Sequence, residues 1–262
     1  MRIITKVTRN RNLLKNLILR DLKRRYVGSF GGLLWSIVHP LALLVSYTFV
    51  FSVVFGQRLN STDGTDSVPI FIFCGILPWT LFQGTVIRCC GVIVEHTSLI
   101  TKTVMPAEIL PISIMLSELV HHAIGVFLLL VVLLFFYTVP ASAFAILVYL
   151  PILLLFTQGL GWIVAGLQVF LRDTIQALQI VMFLWWCFTP VFYSLERLPQ
   201  NYRYAVALNP LSIIVTGYRN SLLGLPQPDP LLTAAATAVS LAVFTIGALM
   251  FRQAKPAFAD VL

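Results

Sequence analysis

Between Glu118 and Arg172 the chain runs for 53 residues without a single Asp, Glu, Lys or Arg. One helical crossing of a bilayer takes about 20 apolar residues, so this run has room for two crossings, joined at the turn Val139-Pro140-Ala141-Ser142. A water-soluble core of that length would need a charged outer face, and here none is offered. The whole chain agrees: 58% of residues are hydrophobic and 11% charged, where a soluble domain carries about a quarter. The predicted class is therefore an all-α integral membrane protein. The four cysteines (Cys74, Cys89, Cys90, Cys187) lie in or beside apolar runs, without zinc-site spacing or a disulfide pattern.

The remaining charge-free runs complete the topology. Crossings are predicted at 32–55, 69–94, 112–137, 143–170, 174–193 and 230–251, within a single transmembrane domain of residues 1–262. Before the first crossing, residues 1–30 hold nine of the eighteen Lys and Arg residues, all within the first 25 positions. Leu13, Leu17 and Leu19 alternate there with Lys15, Arg20, Lys23, Arg24 and Arg25, the pattern of an amphipathic helix lying on an anionic cytoplasmic leaflet. Clustered cations beside a membrane-entering helix argue against a nucleic-acid groove, in spite of the net charge of +8. Six crossings put both termini on one side. With cytoplasmic termini, fourteen Lys and Arg fall inside and four outside, as the positive-inside rule requires.

The outer segment from Ser194 to Asp229 does not read as an ordinary loop. Its stretch AVALNPLSIIVTGY is too short to cross, too apolar for solvent, and broken at Asn209-Pro210. A re-entrant helix pair over residues 200–225 is the expectation, the alternative being a helix lying flat on the outer surface.

Reaction chemistry is sparse. There is no GxxxxGK[ST] phosphate loop, no GxSxG, no HExxH and no Rossmann glycine pattern. Glu118 and His122 stand four apart with His121 adjacent, which predicts a local pair near the membrane interface. A proton relay would require further carboxylates in other crossings, and none occurs there. A membrane glycosyltransferase or phosphatase would need clustered acids at a membrane face, whereas the ten acidic residues are scattered. Aromatics concentrate in two crossings: Trp35, Tyr47, Phe49 and Phe51 in the first, and Trp185, Trp186, Phe188, Phe192 and Tyr193 in the fifth. Such rings serve either as interface belts or as stacking platforms for sugar rings.

Six stretches together resemble the transmembrane subunits of polysaccharide-export ABC transporters. They are RDLKRRYVGSFGGLLWSIVHPL at 20–41, FCGILPWTLFQG at 73–84, HTSLITKTVMPAEILP at 96–111, FLRDTIQ at 170–176, TPVFYS at 189–194 and NPLSIIVTGYRNSLLG at 209–224. Each alone is a weak signal, but their order and spacing cover nearly the whole chain. The chain departs from the pattern at His96, where Asn is usual, at Thr189, where Ser is common, and at Ala107-Glu108, where a basic residue usually follows the proline.

The resemblance implies a permease half that works with a second copy of itself and with a separate ATPase subunit. This chain would then hold no cofactor, ATP and Mg sitting on the partner, and it would not itself be an enzyme. Residues 95–105 would form the coupling loop inserted into the ATPase, through Glu95, His96, Thr97, Ser98, Leu99 and Lys102, with Arg172 and Asp173 as a second contact. Lys23, Arg24, Arg25 and Tyr26 would stand at the substrate portal. Trp35, Tyr47, Phe51, Trp185, Trp186, Phe188 and Tyr193 would line the channel, and Asn209, Pro210, Tyr218 and Arg219 the outer gate. The implied cargo is an undecaprenyl-diphosphate-linked polysaccharide, O-antigen foremost, moved across the bacterial inner membrane. Teichoic acid or capsule, or a lipid or small drug, is the alternative.

Overall fold

The computed structural model describes residues 9–26, 34–56, 59, 63–102, 106–195 and 198–261. Among them the chain is helical throughout, with no strand. A first helix, α1 (Arg11–Tyr26), precedes α2 (Trp35–Thr48), whose end passes into a π-helical turn, Phe49–Val54. There follow α3 (Val68–Glu95), the short α4 (Thr97–Lys102), α5 (Ile109–Phe136), α6 (Ile146–Phe170) entered through a 3₁₀ turn at Ala141–Ala145, and α7 (Thr174–Cys187). The pair α8 (Gln200–Ala207) and α9 (Pro210–Leu223) leads to α10 (Pro230–Ala254) and a terminal turn, α11 (Phe258–Val261).

Four segments are long and apolar enough to cross a membrane: Val68–Glu95, Ile109–Phe136, Ala141–Phe170 and Pro230–Ala257. The first and fifth expected crossings are shorter apolar helices, Pro40–Val54 and Thr174–Cys187. α7 stops because Pro190 has no amide proton and disfavours helix in the residue before it. Fourteen residues at about 1.5 Å each give roughly 21 Å, short of a hydrocarbon core of about 30 Å.

α3 is the hub. In its most apolar stretch 78% of residues are buried within the protein, against 22% for α5 and for α10, whose remaining faces are left for lipid. It packs against α5, α6 and α9, with α2 and α7 along its remaining side. Pro69 starts it at a position where the missing amide costs nothing, and Pro78 interrupts its ladder midway.

α6 and α10 form the other main contact, and they approach through glycine. A Cβ added at Gly159 would stand 2.6 Å from the Val243 carbonyl and from the Phe244 amide nitrogen. Without a hydrophobic force to drive helices together in lipid, such backbone proximity supplies dispersion contact instead.

Helix α1 has one apolar edge, with Leu14 and Leu17 buried and Leu13 and Ile18 half-buried against the bundle. Leu19, expected on that edge, is 43% exposed, and Lys15, Arg20, Lys23 and Arg24 face outward. At the other terminus the buried Phe258 packs on Phe251 and Phe170, and Lys255 bonds Glu108 at 3.0 Å. The unexpected acid at Glu108 thus has a specific cation.

α9 has strong local signals at both ends. The Asn209 side chain accepts from the Leu211 amide at 3.1 Å, Pro210 takes the first helical position, and Gly224 closes the helix at φ 73°. Asp229 and Pro230 start α10 in the same way.

Candidate functional site

α2, α3, α5 and α7 enclose a cleft of about 940 Å³. This lies at the upper end of the 300–1,000 Å³ typical of small-molecule sites. One wall is aromatic, with Trp35 and Tyr47 from α2 facing Phe183 and Trp186 from α7. The opposite wall, from α3, is mixed: Trp79 and Phe73 alternate with Thr80 and Gln83, and the Trp79 indole donates to Gln83 Oε1 at 2.9 Å. Arg88, Glu118, His121 and His122 supply its ionisable groups.

The aromatic wall extends as a connected cluster. Phe192 meets Tyr47 at 4.9 Å, Trp186 at 5.0 Å and Phe51 at 4.6 Å between ring centroids, the last nearly parallel. Trp185, expected beside Trp186, turns inward. It meets Phe82 and Phe156 edge-on and gives its indole N–H to Asn209 Oδ1 at 3.0 Å. Adjacent residues on a helix point about 100° apart, so only one of the two tryptophans can face the cleft. Phe188 is 65% exposed and borders a smaller apolar recess of about 380 Å³, together with Trp185 and Asn209.

The expected gate residues knit α9 to the bundle. Asn209 accepts from Trp185 and donates to Thr189 Oγ1 at 3.1 Å, so it holds the end of α7 against the start of α9. The Tyr218 hydroxyl lies 3.2 Å from His122 Nε2, while His122 Nδ1 lies 3.1 Å from the Leu77 carbonyl oxygen. The local Glu118–His122 pair expected from their spacing gives way to bonds across helices: Glu118 accepts from Arg88 of α3, and His122 reaches α9.

Arg219 is 3% exposed, and its guanidinium donates to the carbonyls of Phe71, Tyr193, Pro190 and Val191 at 3.4, 3.4, 2.8 and 2.7 Å. It also sits 3.8 Å above the Phe71 ring. The turn after α7 is buried and irregular, so its carbonyls need donors from elsewhere in the protein, and one planar fork provides them. Gly75 leaves the space: a Cβ there would lie 2.6 Å from Arg219 Nη2.

The expected coupling residues lie together at the opposite end of α3. His96 bonds the Val92 carbonyl, Thr97 Oγ1 donates to the Val94 carbonyl, and the Leu99 amide to the His96 carbonyl, so α4 turns directly off α3. Ser98 is exposed there. Glu95 pairs with Arg24 of α1 at 3.9 Å, a solvent-exposed contact of small energetic weight. Arg172 and Asp173 are exposed between α6 and α7, and Gln168 donates to the Arg172 carbonyl. Lys23 and Arg24 are exposed on α1, while the side chains of Arg25, Tyr26 and Lys102 lie outside the described residues.

The family model for ABC-2 type transporters matches residues 12–223. The chain belongs to the ABC-2 type transporter family. Members with curated names resemble it along most of its length. An O-antigen export system permease protein, RfbA, of Myxococcus xanthus is 30% identical, with 99% of each chain covered. An RfbA of Klebsiella pneumoniae is 26% identical over 93% of this chain and 92% of its own. The polysialic acid transport protein KpsM of Escherichia coli is 24% identical over 79% and 80% respectively. As an ABC-2 transporter, the chain contributes the membrane part, and the cleft is the larger of the two cavities described above.

Sequence reasoning passed over several residues that build this site. Arg88, Asp21 and Gln83 carried no expectation of a role in the site. A lone arginine in an apolar helix does signal a carboxylate partner elsewhere, but the sequence does not name it.

Proposed function

We propose that this chain is one of two identical permease subunits of an ABC exporter that moves a lipid-linked polysaccharide, O-antigen foremost, from the cytoplasm across the inner membrane. A separate ATPase subunit, holding ATP and Mg, drives it. The cleft carries this reading. A long wall of rings opposite amide, hydroxyl and imidazole groups offers weak contacts at many points, which suits a sugar chain that must slide. The relatives named as O-antigen permeases, one matched along 99% of both chains, support the same cargo.

In this account the chain crosses six times, with both termini cytoplasmic. α2 and its π-helical turn make the first crossing, and α7 with the turn held by Arg219 makes the fifth. α8 and α9 dip back as the outer gate. α1 lies on the cytoplasmic leaflet with Lys23 and Arg24 at the portal, and α4 with Arg172 and Asp173 meets the ATPase. Closure of the ATPase pair would push α4, and through it α3 and the cleft.

Capsular polymer is the second reading, favoured by the likeness to a polysialic acid transport protein. Depletion of this chain in its native cell tests both. Surface polysaccharide, followed by antibody or lectin, is expected to vanish while lipid-linked polymer builds up inside. Unchanged surface polysaccharide with no internal polymer would overturn glycan export. The antigen lost distinguishes the two cargoes.

A further inference from the structure

At one end of the cleft a single guanidinium joins three helices. Arg88 of α3 donates through Nη1 to Glu118 Oε1 of α5 at 2.9 Å, and through Nη2 to Asp21 Oδ1 of α1. Arg88 and Glu118 both line the cleft, and the Arg88 side chain keeps 29% of its surface exposed. The two carboxylates differ in how firmly they are held. Glu118 stands on a helix packed into the bundle, and its carboxylate fills the space left by Gly84, where a Cβ would lie 3.2 Å from it. Asp21 stands on α1, which is packed from the outside through Leu14 and Leu17 and carries the exposed cations Arg20, Lys23 and Arg24.

A guanidinium suits a phosphate at least as well as a carboxylate, because its planar fork matches two phosphate oxygens. An anion arriving in the cleft can therefore compete for the donor that Asp21 occupies. Asp21, once released, remains beside Arg24, three residues along the same helix, so its charge is not stranded.

We propose that Arg88 is the receptor for the diphosphate headgroup of the exported lipid, and that Asp21 is a tethered carboxylate holding that receptor until the headgroup displaces it. This rests on the lipid-linked export reading. It adds the residue that reads the headgroup and a link from substrate arrival to α1, because the displacement unfastens α1 from α3.

The test is binding of radiolabelled undecaprenyl diphosphate to the full-length chain in lipid nanodiscs, with unlabelled undecaprenol and inorganic pyrophosphate as competitors. Asp21→Asn removes the competing charge while keeping the side-chain shape. It is expected to tighten binding about tenfold or more, the size of one charge-assisted hydrogen bond. The pair Arg88→Gln with Glu118→Gln, which leaves no orphan carboxylate on α5, is expected to weaken binding tenfold or more. Adding Asp21→Asn to that pair should then tighten nothing. A merely structural ion pair makes the opposite prediction, namely that Asp21→Asn leaves affinity unchanged or lowers it, and that result would overturn the proposal. Equal competition by pyrophosphate would also overturn it, because the site would then read free phosphate and not a lipid headgroup. Equal competition by undecaprenol would overturn it too, because the headgroup would then go unread, whereas no saturable binding of undecaprenyl diphosphate to the wild-type protein is the failure of the lipid-linked export reading itself. That failure shows in the wild type and is distinct from a failure confined to the Asp21 variant.

Discussion

Replacing Arg219 by leucine is expected to destabilise the protein by about 3–5 kcal/mol, because buried carbonyls that lose their donor cost about 1–3 kcal/mol each. Three carbonyls in the turn after α7 depend on this guanidinium, which also reaches the Phe71 carbonyl, already served by the ladder of α3. Leucine would fill part of the volume but satisfy none of them. Lysine restores the charge, but its single nitrogen cannot span carbonyls that now bond three different nitrogens, so Arg219→Lys should recover only part of the loss. Thermal unfolding in detergent, followed by fluorescence-detected size exclusion, reads the effect. Arg203→Leu, at an exposed site on α8, should move the transition little. If Arg219→Leu unfolds at the wild-type temperature, Arg219 does not hold the gate helix to the bundle.

Gly247→Leu is the second large effect. A Cβ at this position would lie 2.9 Å from the Gly159 carbonyl carbon and 3.0 Å from its Cα, and the partner is backbone, which cannot rotate away. The helices α6 and α10 would have to separate along their main contact, losing the dispersion that holds them in lipid. Overpacking costs about 1–3 kcal/mol where side chains can shift, and a backbone collision should exceed that. The expected result is aggregated protein, or a transition lowered at least as far as in Arg219→Leu. Leu249→Ala, on the half-exposed face of the same helix, provides the comparison. Normal folding of Gly247→Leu would contradict the α6–α10 crossing.

How far the molecule could be read from its sequence depended on how local each determinant is. Charge-free runs at 112–137, 143–170 and 230–251 became α5, α6 and α10 because hydropathy over about twenty residues is a local property. The α8–α9 pair was legible from Asn209-Pro210, which caps and starts a helix whatever surrounds it. The early end of α7 was also written, at Pro190, but an apolar run through Tyr193 masked it. The ionic core of the site was not legible. Asp21, Arg88 and Glu118 are separated by 67 and 30 positions, and nothing local joins them. The spacing of Glu118 and His122 suggested a partner one turn away, where tertiary contact drew both across to other helices. Trp185 and Trp186 look equivalent in sequence. Which one faces the cleft is set by the rotation of α7, fixed by Asn209 on another helix.

In the proposed export function, the cleft between α2, α3, α5 and α7 is the passage for a glycan. Photo-crosslinking in living cells tests it most directly, with a photoreactive residue placed at Tyr47 or Trp186 on the cleft wall, and at Phe135 or Phe144 as outward controls, these being 78% and 79% exposed. Adducts carrying polysaccharide are expected from Tyr47 and Trp186, absent from Phe135 and Phe144, and lost when glycan synthesis is blocked. Adducts of equal yield at all four positions, or glycan captured only at Phe135 and Phe144, would contradict it.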